Sequence, residues 1–122
     1  MYELVPEGDS NIATFKATGI LSDSDYDTLA EEMDIFLGKH NVARVLVDWE
    51  QLEGWEQGAR TASSWFGRVH SNLIERMAIV ADNKWKDETL RIADIVKLTD
   101  VRIFVPSERD AAWAWLNEGR RG

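Results

Sequence analysis

Apolar and polar positions alternate with a period of two at the start of the chain and with a helical period soon after it. Tyr2–Val5 and Asn11–Thr18 read as short strands joined by the polar turn Pro6-Glu7-Gly8-Asp9, a hairpin signal. Ala13, Phe15 and Ala17 alternate with Thr14, Lys16 and Thr18, so one face of the second strand is expected to meet solvent, and Gly19 to end it. Ser22 or Ser24 is expected to cap a helix whose first turns hold Asp23, Asp25 and Asp27, where the dipole favours anions. Its apolar stripe is Tyr26, Leu29, Ala30, Met33, Phe36 and Leu37, and Gly38 with His40-Asn41 is expected to stop it.

Val42–Val47, apolar except for Arg44, predicts a strand covered on both faces and ending at Asp48. A polar loop through Gly54 follows in this reading, then a helix over Gln57–Leu73 that buries Ala59, Ala62, Phe66, Val69 and Leu73. Met77–Ala81 predicts a further strand, Asp87–Leu98 a third helix and Val101–Val105 a last strand. Ser107 is expected to cap a final helix, Glu108–Leu116, with Ala111, Ala112, Trp115 and Leu116 turned inward; residues 118–122 are expected to fray. Strands alternating with helices predict an α/β domain in the order β-β-α-β-α-β-α-β-α. Its sheet is expected to be mostly parallel but mixed, of four or five strands with about four helices and an antiparallel edge strand.

In such sheets ligands and partners dock outside the carboxyl ends of the strands. The expected working surface therefore holds Asp48, Trp49, Glu53, Trp55, Glu56, Trp65, Phe66, Asp82 and Trp85. The tryptophans could line an apolar pocket, anchor an interface or cap the core. Asp48, Glu50, Glu53, Glu56 and Asp82 could form a carboxylate group for acid–base work or for Mg²⁺ or Ca²⁺, but their spacing matches no known metal loop and no metal is expected. His40 and His70 stand alone, the latter on an expected exposed helix face, while Arg76 and Arg102 read as surface ion-pairing residues and Trp115 as core.

Charge sharpens this picture. The 122 residues carry a net charge of −8, unevenly: residues 1–56 hold 13 acids against three basic residues, and residues 57–122 hold nine against 11. No basic stripe of the kind that displaces nucleic-acid counterions is present, so nucleic acid is not an expected partner. With six tryptophans, the polarity predicts a homodimer or a protein partner. The absence of cysteine, of a signal peptide and of any apolar run near the ~20 residues that span a bilayer predicts a cytoplasmic domain without a membrane span.

Several segments taken together resemble the STAS domain of the bacterial anti-sigma-factor antagonists, and within it the SpoIIAA-like family of small bacterial proteins. They are Gly19 with Leu21, Ser22-Asp23-Ser24-Asp25-Tyr26, Val45-Leu46-Val47-Asp48, Glu53-Gly54-Trp55, Glu75 through Asp82 with Lys84-Trp85, Val101 through Phe104, and Glu108 through Leu116. The resemblance implies one STAS-like domain over residues 1–117 that serves as a regulatory or protein-interaction module without enzymatic activity or cofactor. In the antagonists a serine at the start of the helix after the central strand is phosphorylated. The matching stretch here, Glu53-Gly54-Trp55-Glu56-Gln57-Gly58, has no hydroxyl, and Thr61, Ser63 and Ser64 lie inside the predicted helix, so no phosphorylation is expected. The first alternative is a carrier or sensor of a small hydrophobic or lipid-like ligand in a Trp-lined pocket; the second is a carboxylate-based enzyme.

Overall fold

Two successive strands with a polar turn between them pair with each other, whereas strands separated by an amphipathic helix must cross over and pair in parallel. The computed structural model describes residues 1–96 and 98–119, with the side chains at 60, 63–65, 68 and 71 outside the description. Strands β1 (Tyr2–Pro6) and β2 (Ile12–Leu21) form the antiparallel hairpin. Then follow α1 (Asp23–His40), β3 (Ala43–Trp55), α2 (Ala59–His70), β4 (Ile74–Val80), α3 (Lys86–Ile95), β5 (Asp100–Phe104) and α4 (Arg109–Asn117). The sheet order equals the chain order, and β2 through β5 are parallel. Right-handed crossovers that all step the same way put their helices on one face. The larger core accordingly joins that face to α1, α2 and α3, while α4 covers Leu46, Ala78 and Val80 on the other.

Both long strands run further than the sequence suggests. Gly19 does not end β2; its φ of +71° is absorbed at a bulge and pairing resumes to Leu21↔Trp55. The stretch from Asp48 to Trp55 is therefore strand, not loop. Beyond Asp48↔Val80 it pairs with β2 alone, so β2 and β3 form a two-stranded extension past the rest of the sheet.

Helix α1 starts at a capping box: Ser22 Oγ accepts from the Asp25 N–H and the Asp25 carboxylate accepts from the Ser22 N–H. The helix runs through Gly38 and ends at Asn41, whose φ is +65°. In α2 the buried stripe passes through Ala59, Phe66 and His70, and Val69 is 46% exposed, against expectation, because it lies a quarter-turn off that stripe. The apolar positions Leu90, Ile92, Ala93, Ile95, Val96 and Leu98 predict the inner side of the third helix; Val96, just past α3, is buried as expected, but Leu90 and Leu98 are exposed and Thr89 is buried. Ser107 does not cap α4; Pro106–Glu108 form a short 3₁₀ turn in which the Glu108 carboxylate takes the Val105 N–H at 3.1 Å. The helix phase then turns Ala111 outward and Ala112 inward.

Arginines fasten α4 to the sheet. Arg44, 8% exposed, gives Nη1 to the carbonyls of Leu116 (2.8 Å) and Glu118 (2.6 Å), and Nε to Glu75 (2.9 Å). Arg102 is at the surface as expected and Arg76 is partly buried, but among the described residues neither forms an ion pair. Their guanidinium carbons sit 5.1 and 4.9 Å from the Trp115 ring centre, and Arg76 also donates to the Trp115 carbonyl at 2.7 Å. At the free edge of β1 the Leu4 N–H is taken by the Glu32 carboxylate at 3.4 Å, and Pro6 has no N–H to offer.

Candidate functional site

The bulged extension decides where the predicted site residues go. Trp49 lies on the inner face of β3 and is 1% exposed. Its Nε1 donates to the Tyr2 hydroxyl at 3.3 Å, and that of Trp55 donates to the Tyr26 hydroxyl at 2.9 Å. Trp55 stands edge-on between Trp49 and Trp85, with ring centres 5.2 Å apart on each side and interplanar angles of 79° and 88°. Each edge-to-face pair adds about 0.5–1.5 kcal/mol beyond burial. The three rings thus form a packed block over the end of the core, with Trp55 and Trp85 half-buried at its outer end.

Phe66 is likewise buried, edge-on to Phe15 at 5.8 Å and close to His70 at 4.3 Å. Trp65, Ser63 and Ser64 lie outside the described side chains. Contrary to the expected exposure, His70 is 3% exposed. Its Nδ1 meets the Phe66 carbonyl at 2.9 Å and its Nε2 the Asp34 carboxylate at 3.2 Å, so it ties α2 to α1. Tyr2, inside the same aromatic group, has its hydroxyl pushed well above the ordinary phenol value by burial first and then by Tyr26 and Asp48; the Trp49 hydrogen bond opposes this only in part.

The carboxylates do not gather into one group: Asp48 and Glu50 meet at Arg109, while Glu53, Glu56 and Asp82 stand apart. Asp48 is buried on the α4 face, its Oδ1 accepting from the Glu50 N–H at 3.0 Å and its Oδ2 3.3 Å from Arg109, which also binds Glu50. Asp82 caps the 3₁₀ turn Asn83–Trp85 by accepting the Lys84 N–H at 3.1 Å. Glu53 and Glu56 are exposed, Glu53 on the extension beside Gly19. Among the described residues no group of three or more His, Cys, Asp or Glu is placed to hold a metal ion.

Open space lies elsewhere. Beneath α2 and α3 an apolar cavity of about 30 Å³ touches Phe15, Val47, Phe66, Met77 and Ile92. Ligand pockets run to roughly 300–1,000 Å³, so this one does not hold a lipid-like molecule. Between the N-terminal halves of α1 and α2, however, runs a groove of about 330 Å³. Its floor is Tyr26 and Phe66, its walls are Ala30, Gly58, Thr61 and Ala62, and its rim carries Asp23 and Asp27. Except for Phe66, none of these was singled out for the site from the sequence. The available signal was the one-turn spacing of Asp23, Asp27 and Ala30 beside the small residues that open α2. At the head of α1, burial alone would raise the Asp25 carboxyl; hydrogen bonds from the Ser22 N–H and hydroxyl, with the N-terminal ammonium, bring it below its ordinary value.

A mixed five-stranded sheet in chain order, with three crossover helices on one face and a closing helix on the other, defines a small α/β domain of the STAS type. The chain belongs to the SpoIIAA-like family, whose profile matches residues 12–117. Among solved structures it is similar to an uncharacterized DUF3478-family protein with a SpoIIAA-like fold from Shewanella loihica PV-4. That likeness has 23% identity and a TM-score of 0.74 over 95% of this chain and 92% of that one. It is also similar to the anti-sigma factor antagonist SpoIIAA in its unphosphorylated form, at 9% identity and a TM-score of 0.66 over 94% of this chain and 97% of that one. At these identities the likeness is one of fold. Comparison with curated proteins gives no significant match. No helix among the described residues is long and apolar enough to cross a membrane.

Proposed function

We propose that this protein is a non-enzymatic interaction or regulatory module that docks a protein partner at the α1–α2 groove and the adjoining Glu56–Gly58 corner. The open groove at the start of α2 carries the reading, because it occurs at the end of the fold where the predicted partner surface lies. The SpoIIAA-like fold supports a regulatory role, and the missing hydroxyl in Glu53–Gly58 argues for docking without phosphoryl transfer. Asp48 and Glu50 converge on Arg109, which holds both as an ion pair, and Asp82 caps a turn, an arrangement that argues against acid–base work by these carboxylates. Self-association remains part of the proposal on charge polarity alone, since Trp49, Trp55 and Trp85 pack on one another and Trp115 is held by two arginines.

The test is affinity capture from the host with the unaltered protein and with Thr61→Trp, which fills the groove from an exposed position. A polypeptide held by the first and lost by the second supports the reading. One held equally by both removes the groove from it.

A further inference from the structure

We infer that the α1–α2 groove takes a basic amphipathic helix, with an apolar side chain entering between the two helices and two cations seated on Asp23 and Asp27. The inference rests on the docking function proposed above and specifies the partner's chemistry. Three features of the groove point the same way.

The floor consists of two aromatic rings, Tyr26 and Phe66, and the walls of Ala30, Gly58 and Ala62, side chains too small to close the space above the rings. A volume of about 330 Å³ at the low end of the ligand-pocket range suits an apolar side chain or two rather than a cofactor. Among the described residues the charges lining it are all negative, and neither the Asp23 nor the Asp27 side chain has a hydrogen-bond or ion-pair partner there. This contrasts with Asp25, Asp34 and Asp48, which are engaged by Ser22, His70 and Arg109. Finally, Asp23 and Asp27 are one helical turn apart, about 6 Å along the axis of α1. A partner helix with Lys or Arg at the same interval can meet both while turning its apolar stripe into the groove, the usual helix-in-groove arrangement. Exposed carboxylates of this kind contribute chiefly orientation and association rate, and the apolar contact sets the residence time.

The experiment uses the full chain with a synthetic Leu/Lys amphipathic peptide and its Leu/Glu counterpart as probes, read by calorimetry and by amide chemical shifts. The Leu/Lys peptide is expected to bind, with shifts centred on residues 23–30 and 58–62. Asp23→Lys with Asp27→Lys is expected to weaken it about tenfold or more. Glu7→Lys with Asp9→Lys, an equal change of net charge on the β1–β2 turn, should alter affinity less than about twofold, as a screened distant charge does. Equal losses in both pairs, equal binding of the Leu/Glu peptide, or no binding of the Leu/Lys peptide overturns the inference. A native partner lost by Thr61→Trp but retained by the Asp23/Asp27 variant removes the basic helix and leaves the docking function standing. Retention by Thr61→Trp removes the groove from the docking function, and the basic helix with it.

Discussion

Trp49 shows how much one residue's environment depends on a feature far from it in sequence. By its neighbours Asp48 and Glu50 it reads as part of a polar loop, yet it is core, because a bulge in β2 lets β3 continue past it. Its indole N–H has one acceptor, the Tyr2 hydroxyl. Tyr2→Phe is expected to leave that donor buried and unpaired and to cost about 1–3 kcal/mol in urea unfolding, with a change in tryptophan emission. Trp49→Phe combined with Tyr2→Phe should recover part of the loss, since it removes the stranded donor. His70 was misplaced for a different reason: a polar side chain next to Val69 suggests the outer face, and a quarter-turn in helical phase reverses the two. His70→Leu is expected to destabilise the protein by about 1–3 kcal/mol through two lost hydrogen bonds, which equilibrium unfolding would register.

At the level of elements, long periodic patterns were legible and their ends were not. The α1 stripe Tyr26, Leu29, Met33 and Phe36 is buried as its spacing predicts. The strand ends failed because glycine carries the same signal at a terminus and at a bulge. Gly19→Ala separates the two uses: a Cβ there meets only Glu53, at an ordinary 3.6 Å, so the expected cost of about 1–2 kcal/mol comes from the left-handed backbone. A value near zero in thermal unfolding would mean that the bulge relaxes. The α1 cap makes a prediction with a sign. Asp25 has a lowered carboxyl, so its stabilising contribution is complete above the unfolded value near pH 4 and is lost as pH falls through the lower folded one. The stability difference between the unaltered protein and Asp25→Ala should therefore be present at neutral pH, largely through the lost cap, and shrink on acidification through that window. Urea titrations at several pH values would show it.

For the whole molecule, the alternation of strands and helices predicts a mostly parallel sheet with an antiparallel edge strand. The spatial order was not predicted; it equals chain order because each crossover helix steps in the same direction, leaving α4 to cover the second face. The working surface was less legible. A reading from the carboxyl ends of strands gathers the residues next to them in sequence, whereas the groove is built by two helices 31 or more residues apart at their facing positions Ala30 and Thr61. Of the aromatic residues gathered by sequence, Trp49, Trp55, Phe66 and Trp85 pack on the core, and the charges that rim the groove stand on α1. The guanidinium fastening of α4 carries the largest expected effect at this scale. Arg44→Met leaves the carbonyls of Leu116 in α4 and Glu118 just past it, and Glu75, without their donor and is expected to lower stability by about 2–4 kcal/mol. Amide exchange should rise across α4 before it rises in α1; uniform exchange would show that α4 does not open separately.

The blunted margin of β1 bears on how copies of this chain can combine. With the Leu4 N–H occupied by Glu32 and Pro6 silent, a newcomer strand meets no welcome on that side. Of the sheet's two outer strands, that leaves the short β5 border to present a row of backbone groups to a stranger, beside the unpaired side of the β3 extension. A ribbon growing strand upon strand needs two receptive borders per unit, one to join and one to be joined. A molecule blunted at β1 can pair through β5 with its own twin but offers the next copy no matching outer strand, so the fold carries a check on growth from that end.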